Sequence, residues 1–503
     1  MRALSLFAAA LLAGCGASPT PIDRTKLPTP GAEPKWAPPP VETWTLPNGM
    51  NVWFVRQDQA PLISVRVVFP RGGAADPPGK AGLTSLVGDM LDEGAGGRTS
   101  LQISDDLQRL AIDFGASTAT DATLVSMDIL ADKLPESLKI FVSLLRTPDF
   151  PAEEFERRKA QRIAQALSDE ATPGTAASLT VRRALFGDGY GSQAPNGTRA
   201  SLQALTVDDV KAQYKAVIQP KGATVVVVGP TDRPTVERAL LAVFDNWRGE
   251  PTAAVQAIEA SGPPAQIRFV DFPGSTQSVV QVARRVPGAN ADEIFASEVY
   301  NWALGGAFTS RLNLNLREEK GYTYGARSGF NRWRQGGFFG LGASVKADTT
   351  RPSIDEMLKE IREIAANRPV TEVERNEAVN GMLLGFPGDF ERMAQVAGEL
   401  AGLAVDDRPA DFLRQWPEKL AAVTTAEANA QAKARAEGAW TIVVVGDKAS
   451  LLPTLQSLGL PVVEHDAQGN PLPAAPAPAE AAPADKAPAD KAPADKAPAD
   501  KAP

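Results

Sequence analysis

Histidine and cysteine are nearly absent: the chain of 503 residues carries one of each, His465 and Cys15, beside only five tyrosines. A single thiol cannot close an internal disulfide, so no covalent staple is available to the fold. A single imidazole cannot supply both histidines of a zinc-binding helix. Basic charge is not in excess either. Lys and Arg number 52 against 60 Asp and Glu, a net charge of −8, which argues against nucleic acid, whose binding calls for a basic face. No stretch reaches the roughly 18 apolar residues of a membrane-spanning helix.

What remains is ordinary globular material, 43% hydrophobic and 22% charged, long enough for two to four domains. The first residues read as an address. Arg2 precedes an apolar run, Ala3 to Ala13, too short to span a bilayer and shaped like a secretory signal over residues 1–14. Leu12-Ala13-Gly14-Cys15 resembles a bacterial lipobox, which implies lipidation at Cys15 and a membrane anchor in the cell envelope. Gly16 after the cysteine implies sorting to the outer membrane, facing the periplasm. Residues 15–40 are rich in proline and are expected to form a stiff spacer. At the other end, residues 465–503 lose apolar periodicity and, from Ala482, repeat Ala-Pro-Ala-Asp-Lys four times, a composition expected to be disordered.

Between these ends the pattern occurs twice. In residues 41–248, strands are expected at Val52–Val55, Ile63–Phe69, Thr123–Ile129 and Thr224–Val228. Helices are expected at Leu83–Leu91, Leu101–Phe114, Leu134–Leu145, Ala152–Leu167, Ala176–Phe186, Val207–Val217 and Thr235–Trp247. After a linker at 249–264, residues 265–464 repeat the programme with Ile267–Val270, Ser278–Ala283, a helix at Ile294–Leu304, and Thr441–Gly446. Val52 to Val225 spans 173 residues and Ile267 to Ile442 spans 175. The pattern reads as an α+β fold of two tandem halves, each a mainly antiparallel sheet packed with helices.

The densest motif lies in the second half, GGAFTSRLNLNLREEKGYTY at Gly305 to Tyr324. Lys320 and Gly321 read as a helix end. Tyr322 and Tyr324 are expected on one face of the following strand. Arg317 and Tyr324, seven residues apart across a helix-to-strand corner, suit stabilisation of an oxyanion, because guanidinium stays charged and phenol donates. Nearby, GGFFGLGASV has no phosphate-loop ending and is expected to let strands or a substrate backbone approach closely.

Gly305-Gly306, Ser310-Arg311-Leu312, Leu316-Arg317-Glu318, Lys320-Gly321 and Tyr324 closely resemble the second-half signature of the insulinase (pitrilysin-like) metallopeptidases. That resemblance implies an H-x-x-E-H zinc helix in the first half. In the matching frame, Gly82 to Leu91, Ser85 and Asp89 stand where the histidines belong and Gly88 where the glutamate belongs. Gln165 stands in place of a further glutamate ligand. Ser85 has no histidine to activate it as a nucleophile, and Asp89, Asp92 and Glu93 are expected to be a solvated helix end. The chain is thus expected to hold no metal of its own.

In two-chain members of the family one subunit carries H-x-x-E-H and the other the arginine and tyrosine. The resemblance therefore implies a non-zinc, lipid-anchored subunit that lends Arg317 and Tyr324 to a partner's zinc site for peptide hydrolysis. The competing expectation is a catalytically silent pseudopeptidase that binds peptides or serves as a scaffold.

Overall fold

The computed structural model describes residue 31 and residues 36–256 and 264–473. The signal, Cys15, most of the spacer, part of the linker and the Ala-Pro-Ala-Asp-Lys repeats lie outside the described residues. The described residues from Pro38 onward belong to one unit, and within it the repeat is explicit.

The first half contributes β1 (Glu42–Thr45), β2 (Asn51–Arg56), β3 (Leu62–Phe69), a small hairpin of β4 (Gly94–Ala95) and β5 (Arg98–Thr99), β6 (Asp113–Thr118), β7 (Thr123–Leu130) and β8 (Thr224–Gly229). The second contributes β9 (Ile267–Asp271), β10 (Gln277–Val286), β11 (Thr323–Arg332), β12 (Gly337–Lys346), β13 (Thr441–Gly446) and β14 (Val462–His465). The main sheets run β6-β7-β3-β8-β2-β1 and β11-β12-β10-β13-β9-β14. Five strands thus correspond one to one, and in each sheet the last long strand inserts between the first two, parallel to one and antiparallel to the other. The two matched spacings are register pairs, Val52 opposite Val225 and Ile267 opposite Ile442.

Each sheet is covered on both faces. Val225 and Val227 point into the first half's own core, while Val226 and Val228 meet Phe386, Met393, Val396 and Leu400 from the second half. The arrangement is reciprocal. Ile442 and Val444 face the second half's core, and Val443 and Val445 meet Ala177, Val181 and Phe186 on the first half's helix Pro173–Phe186. Burial on both faces is why β8 and β13 read as unbroken apolar runs rather than alternating ones. A hairpin tip adds a lock: the indole of Trp333 packs on Phe186 and Tyr190, and the Arg334 N–H donates to Asp121 at 2.7 Å.

Two expectations change and one is narrowed. The helix expected over Leu101–Phe114 stops at Arg109, Ala111 turns left-handed at φ 50°, and Phe114 lies on β6. Leu110, Ile112 and Phe114 alternate at period two, which is strand spacing. The chain expected to be tail from residue 465 begins instead as the end of β14, followed by a turn whose Gln468 amide donates to Glu170 of the first half at 2.7 Å. GGFFGLGASV is itself a strand, and of the two close approaches expected there it shows the one between strands: a Cβ on Gly337 would stand 2.1 Å from the Asn331 carbonyl oxygen at the end of β11.

Candidate functional site

The first candidate is the helix Leu83–Asp89 and the helix Ala152–Glu170 packed beside it. Ser85 is buried and its hydroxyl donates to the Pro195 carbonyl at 2.6 Å. Gly88 is buried where the helix crosses β6, and a Cβ there would lie 3.3 Å from the Ala116 Cβ. Asp89 is gripped by Arg162, whose Nη2 donates to Oδ1 at 2.7 Å and whose Nε donates to Oδ2. Arg162 also donates to Asn196 at 3.2 Å. Gln165 is exposed and turned along its own helix to Asp169 at 2.9 Å.

Zinc does not fit these four side chains. The hydroxyl is committed to a carbonyl, the carboxylate is neutralised by a guanidinium, and the amide faces elsewhere. Among the described residues no group of three or more His, Cys, Asp or Glu could hold a metal. Zinc prefers imidazole and thiolate, and a resident arginine would repel it.

The ion-pair layer extends further than Asp89. Glu93, expected in a solvated helix end, is buried and takes Arg157 at Oε2 (2.5 Å) and Arg158 at Oε1. Burial pushes the Asp92 carboxyl upward, with the Arg158 charge pulling the other way. The correction has a simple cause: three arginines, at 157, 158 and 162, fall on the face of the long helix turned toward these acids. Their spacing on an otherwise acidic segment was the available sequence signal.

The second candidate is the Gly305–Tyr324 stretch. Gly305 and Gly306 form the end of a π-helical turn, and a Cβ on Gly305 would stand 2.4 Å from the Ser328 hydroxyl on β11. Arg311 is structural: it grips Glu374 twice at 2.7 Å. Leu312 and Leu316 are fully buried, and Asn313 pins the corner by accepting from the Ala326 N–H at 3.1 Å. Residues Leu314–Glu319 make a second π-helical turn, after which Gly321 takes φ 64° and β11 begins at Thr323.

Most of the motif therefore builds a rigid corner, and two residues stand out from it. Arg317 lies over the Phe308 ring at 4.6 Å and pairs with Glu318 at 3.2 Å. Tyr324 is 93% exposed. No hydrogen bond joins Arg317 to Tyr324 among the described residues, so the corner carries both without coupling them. Nor do the two tyrosines share a face: Tyr322 precedes the strand and packs on the second core, and a bulge separates Thr323 from Ala326.

Comparison with known families agrees with this anatomy. Residues 52–191 match the family described as insulinase (peptidase family M16), and residues 204–382 match the peptidase M16 inactive domain. The chain belongs to the insulinase (M16) family.

Within that family the chain is 25% identical over 400 residues to an uncharacterised zinc protease of Streptomyces coelicolor, covering 76% of this chain and 86% of that protein. It is 25% identical over 276 residues to a protein of Helicobacter pylori named a non-peptidase homologue, covering 54% and 63% respectively. A crystal structure described as a peptidase M16 inactive domain, from Pseudomonas fluorescens, superposes with a TM-score of 0.76 at 26% identity, covering 82% of this chain and 99% of that one. The inactive-domain match falls on the half that carries Arg317 and Tyr324. What marks the first half is its own chemistry: this insulinase-family chain has an ion-pair layer where the family motif would place zinc ligands.

Proposed function

We propose that the protein is the non-zinc subunit of a heteromeric insulinase-family peptidase. In this reading an H-x-x-E-H partner supplies the zinc, and this chain presents Arg317 and Tyr324 across a shared cleft to the scissile carbonyl of a peptide. The observation that carries the proposal is the contrast between the two candidate sites. The zinc positions are closed by internal partners, whereas the Tyr324 phenol is 93% exposed at the end of a rigid corner. The phenol would donate to the carbonyl oxygen as negative charge grows, and Arg317, held on Phe308, would supply a fixed positive charge. Cys15 would anchor the chain by lipid to the cell envelope, with the spacer letting the fold reach its partner.

The test combines this chain with an H-x-x-E-H subunit and measures peptide turnover, with a pull-down to verify assembly. Tyr324→Phe removes one donor at nearly unchanged shape, worth about 2.7–4 kcal/mol, so turnover should fall roughly 100-fold or more. Arg317→Lys should also fail, because a point charge does not reproduce the planar fork. Normal turnover by both variants in an intact complex would refute the catalytic role. That result would leave the second reading, a pseudopeptidase scaffold, which the name of the Helicobacter pylori relative and the lack of a bond between Arg317 and Tyr324 favour.

A further inference from the structure

On the face of the second sheet turned away from its own core, the helix Pro173–Phe186 covers β9, β10 and β13. Toward β11 and β12 that face is floored by glycine. Phe339, Leu341 and Ala343 of β12 point into the core, so Gly340 and Gly342 alternate with them onto the far face. Gly340 is the register partner of Gly329 on β11, and Gly342 that of Arg327. These three glycines, Arg327 and, from the covering helix, Arg182 line a cavity of about 420 Å³.

The fold does not ask for those glycines. None of the three takes a positive φ. A Cβ on Gly329 would meet nothing within 4 Å, one on Gly340 would lie 3.5 Å from the Phe338 ring, and one on Gly342 would lie 3.7 Å from the Gln281 side chain. Glycine inside a strand weakens it, and its recurrent use there is to let a ligand or another backbone come close. The charge is equally unassigned. Arg327 is exposed, and its side chain has no hydrogen bond or ion pair with any described residue. Arg182 lies over the Trp333 ring at 4.6 Å and donates through Nη2 to the Gln193 carbonyl at 2.9 Å and the Thr120 hydroxyl at 3.3 Å. Both acceptors are neutral, and its buried Nε has no partner among the described residues. Burial pulls this guanidinium down to about 10, opposed only by the Tyr190 phenol. No carboxylate lines the cavity.

We infer that this cavity receives a carboxylate side chain of a peptide whose backbone lies on the glycine floor, with Arg327 and Arg182 as its partners. A planar guanidinium takes a carboxylate through two parallel hydrogen bonds. A floor of two paired strands, about 5 Å apart, has the width of one extended segment. Tyr324 stands three residues before Arg327 on the same strand, about 10 Å away. The inference rests on the peptide reading above for its ligand class, and adds a preference for an acidic residue a few positions from the scissile bond.

The experiment titrates the full chain into a fluorescein-labelled peptide of alternating glutamate and alanine, and into its glutamine counterpart, at fixed ionic strength, reading anisotropy. The glutamate peptide should bind, and the glutamine peptide should bind about tenfold or more weaker. Arg327→Gln should unfold at the parent's Tm and weaken binding of the glutamate peptide by a similar factor. Gly342→Val should fold with a Tm at or above that of the parent, because valine favours strands, and should lose the peptide by filling the floor. Equal binding of the two peptides, unweakened binding by Arg327→Gln, or a folded Gly342→Val that still binds overturns the inference. So does displacement of the peptide by free glutamate at the peptide's own concentration, which would assign the cavity to a small carboxylate. The measurement uses neither a zinc partner nor turnover, so it can fail while the Arg317–Tyr324 reading stands, and succeed if that reading fails.

Discussion

At the scale of single residues, the Asp89–Arg162 pair decides what the first half can do. Both side chains are partly buried, at 20% and 25% exposure, and breaking the pair strands a charge. Arg162→Ala should therefore lower stability by about 1–2 kcal/mol, and Arg162→Ala with Asp89→Ala should cost less than the sum of the two single changes, measured by chemical denaturation. The same pair predicts that rebuilding the family motif by Ser85→His, Gly88→Glu, Asp89→His and Gln165→Glu will not give a stoichiometric zinc site by elemental analysis. Arg162 still points there, and a Cβ at position 88 would press on the Ala116 Cβ at 3.3 Å.

Asp76 sits beneath the same helix, accepting from the N–H groups of Gly82 and Thr84 at 2.8 Å and from the Thr84 hydroxyl at 2.6 Å. Burial pushes its carboxyl up to about 6 from 3.8, against the pull of those donors. A carboxyl raised in the fold contributes stability that is complete below its unfolded value and is lost as pH rises through about 6. That contribution, on the order of 3 kcal/mol, should vanish in Asp76→Asn. Between pH 4 and 7 the difference in denaturation midpoint between parent and variant should therefore slope with pH, and a flat difference would contradict it.

At the scale of elements, the helix Met393–Val405 illustrates what pattern does and does not reveal. Its Val396, Ala397, Leu400 and Leu403 form an apolar stripe at helical spacing. The stripe says that something is covered, while only the fold says that it is the sheet of the other half. Leu400→Ala opens a cavity against Val226 and Val228 and should cost about 2–5 kcal/mol, visible as a fall in Tm. Strands β2, β3, β7, β8, β9, β10 and β13 were legible because β-branched runs and turn residues bound them. The false helix across Ala111 was not, because helical and strand periods overlap for a few residues at that junction. The corner holding Arg317 and Tyr324 was legible as a motif. Its π-helical turn and the bulge after Thr323 were not, since both arise from how the turn packs on Ser328 and Asn313.

At the scale of the whole molecule, the halves are interleaved. Each lends a helical segment to the open face of the other's sheet, so either half alone would expose a valine-rich surface. Residues 38–256 or 264–473 expressed singly should be insoluble or aggregate, while co-expression should yield a soluble pair that co-purifies. A soluble, monomeric single half would show the exchange to be dispensable.

The sequence by itself determined the duplication, the strands that match between the halves, and the absence of an H-x-x-E-H helix, because these depend on residue identity and spacing along one chain. Histidines that are not encoded cannot be supplied by folding. Tertiary structure alone decided what stands at the zinc-motif positions, and which residues of the second motif are scaffold and which are presented. Those outcomes depend on side chains far apart in sequence, such as Asp89 with Arg162 or Glu93 with Arg157, meeting at one place, and local periodicity carries no record of that meeting.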